Sequence, residues 1–195
     1  MNINALAASD RNNYGDLLFP ILIKKILENS DKDFNFTNYG IIKSDLSDFG
    51  ALPTLSFNEL VKNNVNFTDD TIIIIAGGEV IGGGWLNIYR FINSFWNRIY
   101  HNKYLRFLIN KSKILEKYSK ITKYSSRPFI LDGNKFKRRQ IMYNAIGAQG
   151  AKELLANNKE YIKYFNEIAY LSVRDISSKQ IFEAHDISLS LVPDS

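Results

Sequence analysis

Short apolar runs alternate with amphipathic stretches along this chain, and most of the boundaries fall on Gly, Asp or Asn. Ile3 to Ala8 reads as a first strand, followed by a polar loop from Ser9 to Tyr14. From Asp16 to Glu28 the apolar residues Leu17, Leu18, Ile21, Leu22 and Ile26 recur at the spacing of one helix face. Pro20 is expected in the first turn or so of that helix, where amides lack ladder partners anyway. Tyr39 to Lys43 predicts a second strand, and Ser56 to Asn63 a short helix capped by Ser56. The segment TIIIIA, from Thr71 to Ala76, holds four consecutive isoleucines. An apolar run without alternation implies burial on both faces, as in the central strand of a parallel sheet. Leu86 to Tyr100 and Lys103 to Lys117 read as helices, and Gln140 to Ile146 as a strand. Tyr161 to Ile168 is expected to be helical, Ala169 to Val173 a strand, Ser177 to Ala184 a helix, and Ile187 to Val192 a last strand.

Strands alternating with helices predict an α/β, Rossmann-like parallel sheet flanked by helices, with right-handed crossovers, in one domain over residues 1–195. In such sheets ligands bind outside the carboxyl ends of the strands. The segments so placed are Arg11 to Asp16, Gly77 to Gly84, Gly147 to Gly150, Arg174 to Asp175 and Pro193 to Ser195.

Composition narrows the chemistry. An apolar fraction of 45% with 13% aromatics supplies a hydrophobic core. The absence of cysteine excludes disulfides, thiolate catalysis and cysteine metal sites, and agrees with a cytoplasmic location. No signal peptide and no membrane-spanning run is legible. The net charge of +5 is uneven: from Asn97 to Arg139, thirteen Lys and Arg face only Glu116 and Asp132, a local excess of +11. Such a block suits nucleic acid, an anionic membrane or an acidic substrate, or is simply a solvated helical face. Nucleic acid is the weakest of these, because base-stacking aromatic motifs are missing.

Four segments could carry a site. The glycines of GGEVIGGG, Gly77 to Gly84, would let a backbone approach a ligand, and a helix starting near Trp85 would favour an anion at its amino terminus. The spacing is neither a dinucleotide fingerprint nor a P-loop, and a tight strand-to-helix turn is the alternative. In NYGD, Asn13 to Asp16, the aspartate reads first as a helix cap and second as a ligand for a sugar hydroxyl. Gln149 lies in the loop after the strand ending at Ile146. In SVRD, Arg174 could fork a carboxylate or phosphate, or pair with Asp175 or Asp194. Asp175 or Ser177 could cap the following helix. His101 and His185 lack partners at metal-ligand spacing, and no GxSxG elbow is present, so neither a metal centre nor a serine hydrolase is expected.

Taken in order, NYGDLLFPILIKKIL, IIIIAGGEVIGGG, YNAIGAQG, LSVRDISSKQIF and LVPDS make the chain resemble the polysaccharide pyruvyl transferase family. The resemblance implies the amino-terminal domain of a two-domain, GT-B-like fold, with the active site between the domains. It also implies transfer of the pyruvyl group of phosphoenolpyruvate to two hydroxyls of a sugar or lipid-linked oligosaccharide, with no separate cofactor. Under it Asn13, Asp16, Gly77, Gly78, Gln149, Arg174, Asp175 and Asp194 line the cleft, Arg174 meeting the anionic donor. The general acid and base are not assigned, and a second domain beyond Asp194 is expected for activity. The basic segment, about 86–139, would then touch the inner membrane leaflet. An acceptor-binding half of a GT-B-like glycosyltransferase and a non-catalytic anion-binding module are the alternatives.

Overall fold

The computed structural model of the chain describes residues 1–11, 13–63, 67–112, 114–115, 127–132 and 136–192. Its strands are β1 (Asn2–Ala7), β2 (Asn35–Gly40), β3 (Leu55–Ser56), β4 (Thr71–Ala76), β5 (Ile141–Ile146), β6 (Tyr170–Val173) and β7 (Ser190–Leu191). Between them run α1 (Tyr14–Glu28), α2 (Phe57–Asn63), α3 (Trp85–Ile92), α4 (Ser94–His101), α5 (Lys103–Ser112), α6 (Ala151–Asn157), α7 (Lys159–Glu167) and α8 (Ile176–Glu183).

All seven strands join one parallel sheet in the order β3-β2-β1-β4-β5-β6-β7, a Rossmann-like arrangement flanked by helices. The isoleucine strand β4 sits at its centre, between β1 and β5. Ile73 and Ile75 are buried, whereas Ile72 and Ile74 are half-buried, so one face of the strand is covered less completely than the unbroken run implies. Past β5 the core is aromatic, with Tyr143, Tyr164, Phe165 and Phe182 meeting edge to face.

Several boundaries differ from the expected ones, and side-chain amides cause much of the difference. The helix expected from Leu86 to Tyr100 is two helices, broken at Asn93, whose backbone is extended and whose side chain accepts from Phe95 N at 2.8 Å. Asn102 caps α5 in the same way, and Asn158 caps α7. A short polar side chain that bonds its own backbone competes with helix continuation. Helix α6 is not among the expected elements, although its buried residues Ala151, Leu154 and Leu155 stand at helical spacing. β2 runs from Asn35 to Gly40 against the expected Tyr39 to Lys43: Asn35 to Tyr39 pair with Asn2 to Leu6 of β1, and past Gly40 the amides of Ile41 and Ile42 turn to Asp10. Pro20 stands in the second turn of α1, since the helix begins at Tyr14. The Ser56 cap is present as a reciprocal box: Glu59 N donates to Ser56 Oγ, and the Glu59 carboxylate accepts from Ser56 N at 2.7 Å.

No helix among the described residues is long and apolar enough to cross a membrane.

Candidate functional site

Strand order reverses between β1 and β4, the topological switch point where α/β sheets of this type place ligands. A crevice of about 1040 Å³ opens there. Its walls come from the loop after β1 (Asp10, Arg11), the first turn of α1 (Asp16), the loop after β4 (Gly78, Glu79), the body of α3 (Asn87, Arg90) and Arg174 after β6.

Asp10 shapes the wall after β1. Its carboxylate accepts from Ile41 N at 2.6 Å and Ile42 N at 3.0 Å, pinning the end of β2, and pairs with Arg11 at 2.8 Å. The side chain is 0% exposed, so the pairing neutralises a charge that burial would otherwise penalise. Gly40 makes room for it: a Cβ there would stand 2.6 Å from the Cβ of Asp10.

Asp16 does not cap α1. The helix begins two residues before it, so Asp16 lies inside the first turn, and its carboxylate accepts from the Asn13 side chain at 2.7 Å. Burial pushes the Asp16 carboxyl above its usual range, against the lowering influence of the Asn13 bond and of the nearby Arg11 and Arg174 charges. An acid held partly against ionisation by a cleft wall and faced by two guanidiniums is a typical setting for proton chemistry.

The glycine loop is shaped by packing. Gly77 and Gly78 have φ of +72° and +61°. A Cβ on Gly77 would run into the Phe19 ring at 1.9 Å, so Gly77 lets α1 close on the sheet and does not itself line the crevice. Gly82 and Gly150 pass backbone to backbone, each leaving 2.5 Å between a built Cβ and the other's Cα. The amino terminus of α3, at Gly84 and Trp85, is also outside the crevice, contrary to the anion-at-helix-terminus expectation. Trp85 is buried against Phe57 instead, and the cation that α3 contributes is the side chain of Arg90. Arg90 is held between the Phe91 and Tyr100 rings, at 4.3 and 4.1 Å from their centroids.

Glu79 ties the β4 and β5 loops together. It accepts from Gly150 N at 2.9 Å, while Gly147 N donates to the Gly78 carbonyl at 2.8 Å. Over Gly147 the Glu79 carboxylate and the Arg174 guanidinium converge: a Cβ there would meet Oε2 at 2.7 Å and Nε and Nη2 at 3.2 Å. A bulge lifts this loop out of β5. Ala145 has φ of +49°, and the Ser172 hydroxyl accepts its N–H at 2.9 Å.

Asp175 caps α8, accepting from Ser178 N at 2.7 Å and from the hydroxyls of Ser177 and Ser178. Burial opposes its ionisation, but these bonds outweigh that effect and hold the carboxyl below its usual range. Ser178 Oγ in turn accepts from Ala148 N at 2.8 Å, fixing the β5 loop to α8. Asp175 and Gln149, which is exposed and donates to Ser177 Oγ, therefore brace the rim and do not line the crevice. Of the eight residues singled out in the sequence, Asn13, Asp16, Gly78 and Arg174 line the crevice. Asp194 lies outside the described residues. Asp10, Arg11, Glu79, Asn87 and Arg90 were not singled out; only the position of the first three beside strand ends could have flagged them. No cluster of three or more metal-ligating side chains occurs among the described residues.

Comparisons with family models, with curated proteins and with solved structures found no match for this chain.

Proposed function

We propose that the crevice binds phosphoenolpyruvate and one face of a sugar acceptor for pyruvyl transfer in cell-surface polysaccharide synthesis. The observation that carries this reading is the gathering of Asp16, Gly78 and Arg174, from three segments far apart in sequence, around one crevice at the switch point. Arg174, Arg11 and Arg90 bring guanidinium forks suited to a carboxylate and a phosphate on one small molecule, beside the carboxylates of Asp10, Asp16 and Glu79.

The reaction needs a proton moved in each direction. Two sugar oxygens form bonds to the enol carbon of phosphoenolpyruvate, the C–O bond to phosphate breaks, and the methylene gains a proton to become methyl. One hydroxyl proton balances the methyl group and the other leaves with phosphate. Asp16, with its raised pKa, is suited to hold an acceptor hydroxyl and to exchange a proton with it.

Equilibrium binding tests the reading. Phosphoenolpyruvate is expected to saturate the chain, and Arg174→Ala to weaken it by about tenfold to a hundredfold, the loss of one charge-assisted pair. Binding of a nucleoside diphosphate with indifference to phosphoenolpyruvate would transfer the site to a glycosyltransferase.

A further inference from the structure

Helix α5 is built the wrong way round for a helix that serves the core. Ile109 and Arg106 turn toward the body of the protein, while Tyr104, Leu105, Phe107 and Leu108 are exposed, Tyr104 by 82% and Phe107 by 64%. These four fall within one arc of the helix. Scattered exposed apolar residues are ordinary, but a helix that turns most of its apolar arc to solvent has an unfilled partner.

Charge indicates which partner. Between Glu79 and Glu116 the sequence contains no carboxylate, while Arg90, Arg98, Lys103, Arg106, Lys111 and Lys113 supply six cations. Lys103 and Lys111 are exposed near the two ends of the helix, and Lys111 Nζ lies 5.9 Å from the centre of the Phe107 ring. Long cationic side chains flanking an aromatic and aliphatic face match the boundary between anionic headgroups and acyl chains. A second copy of the chain would bring the same cations face to face, and the aliphatic Leu105 and Leu108 beside the aromatic rings suit acyl chains better than stacked bases.

We propose that the outward face of α5 docks the protein peripherally on an anionic lipid bilayer. Apolar burial and electrostatic attraction act together in such docking, so both are needed and salt weakens it. The proposal is independent of what the crevice binds.

The lack of cysteine permits a direct test on the whole chain. Phe107→Cys carries an environment-sensitive fluorophore on the proposed face, and Lys152→Cys carries it on an exposed part of α6. Vesicles of phosphatidylcholine with a third phosphatidylglycerol should shift the Phe107 probe to the blue and leave the Lys152 probe unchanged. Pure phosphatidylcholine should do neither. In sedimentation, Tyr104→Ser/Leu108→Ser should lower vesicle binding at least tenfold at unchanged circular dichroism, and Lys103→Glu/Lys111→Glu should do the same. An equal response to neutral vesicles, no response to either, or a dimer that the serine variant dissociates without lipid would overturn the proposal. So would saturable oligonucleotide binding through these residues with no vesicle response.

Discussion

Asp16 crowds any side chain on Gly78: a Cβ built there would stand 3.0 Å from Asp16 Oδ1, which would have to give way. The glycine after the central strand and the carboxylate in the first turn of α1 are thus fitted to each other across the switch point. Gly78→Ala must also hold φ near +61°, which costs an L-residue about 1–2 kcal/mol. Urea unfolding should show a loss of that size, and the displaced Asp16 should weaken any ligand of the crevice.

The pH dependence of stability follows from the same carboxylate. Its folded pKa is raised above 3.8, so the native state holds this proton more tightly than the unfolded chain does. Its contribution is therefore most favourable at low pH and declines as pH rises from 3.8 through the raised value. Asp16→Asn should melt higher than the parent protein at pH 7, and the difference should close as the pH is lowered toward 3. Thermal melts across that range check the sign. A group that lowers stability at neutral pH while lining a crevice is the pattern expected of a functional residue.

The Gly82–Gly150 crossing gives a packing prediction with its own control. Alanine at either position meets backbone at 2.5 Å, which cannot rotate away, and overpacking of this kind costs roughly 1–3 kcal/mol. Gly84→Ala has open space around its Cβ and should be close to neutral by comparison. Equal losses at the two sites would contradict the reading of the loop as a packing device.

In the core, Tyr143 donates to the Phe129 carbonyl at 2.7 Å and lies 3.0 Å from the Tyr164 hydroxyl. Burial pushes both phenols well above their usual pKa, so neither ionises in the native protein. Tyr143→Phe leaves a buried carbonyl without this donor, a loss of about 1–3 kcal/mol that denaturant unfolding would register.

The sheet was legible in the sequence because β1, β4, β5 and β6 are apolar runs that end on loops of Gly, Ser, Arg or Asp. Period and composition suffice where burial decides the element. They fail at Asn93, where one side-chain bond starts a new helix inside an otherwise continuous pattern, and at Asn158, whose cap starts α7 two residues ahead of the expected Tyr161. The site was legible at Asp16, Gly78 and Arg174 through their place after strands. Asp10 and Glu79 were not, because their importance lies in which backbone amides their carboxylates reach across the fold. Asp175 and Gln149 show the converse, since residues at the right end of the sheet can be consumed by capping and bracing.

Amide NMR during titration with phosphoenolpyruvate tests the central claim most directly. Shifts should cluster at Asp10, Asp16, Gly78, Glu79 and Arg174, and Arg174→Ala should remove them while the amides of α6 stay in place. Shifts centred instead on the basic turn at Lys137 to Arg139, or no saturable shifts at all, would contradict a ligand site at the β1–β4 switch point.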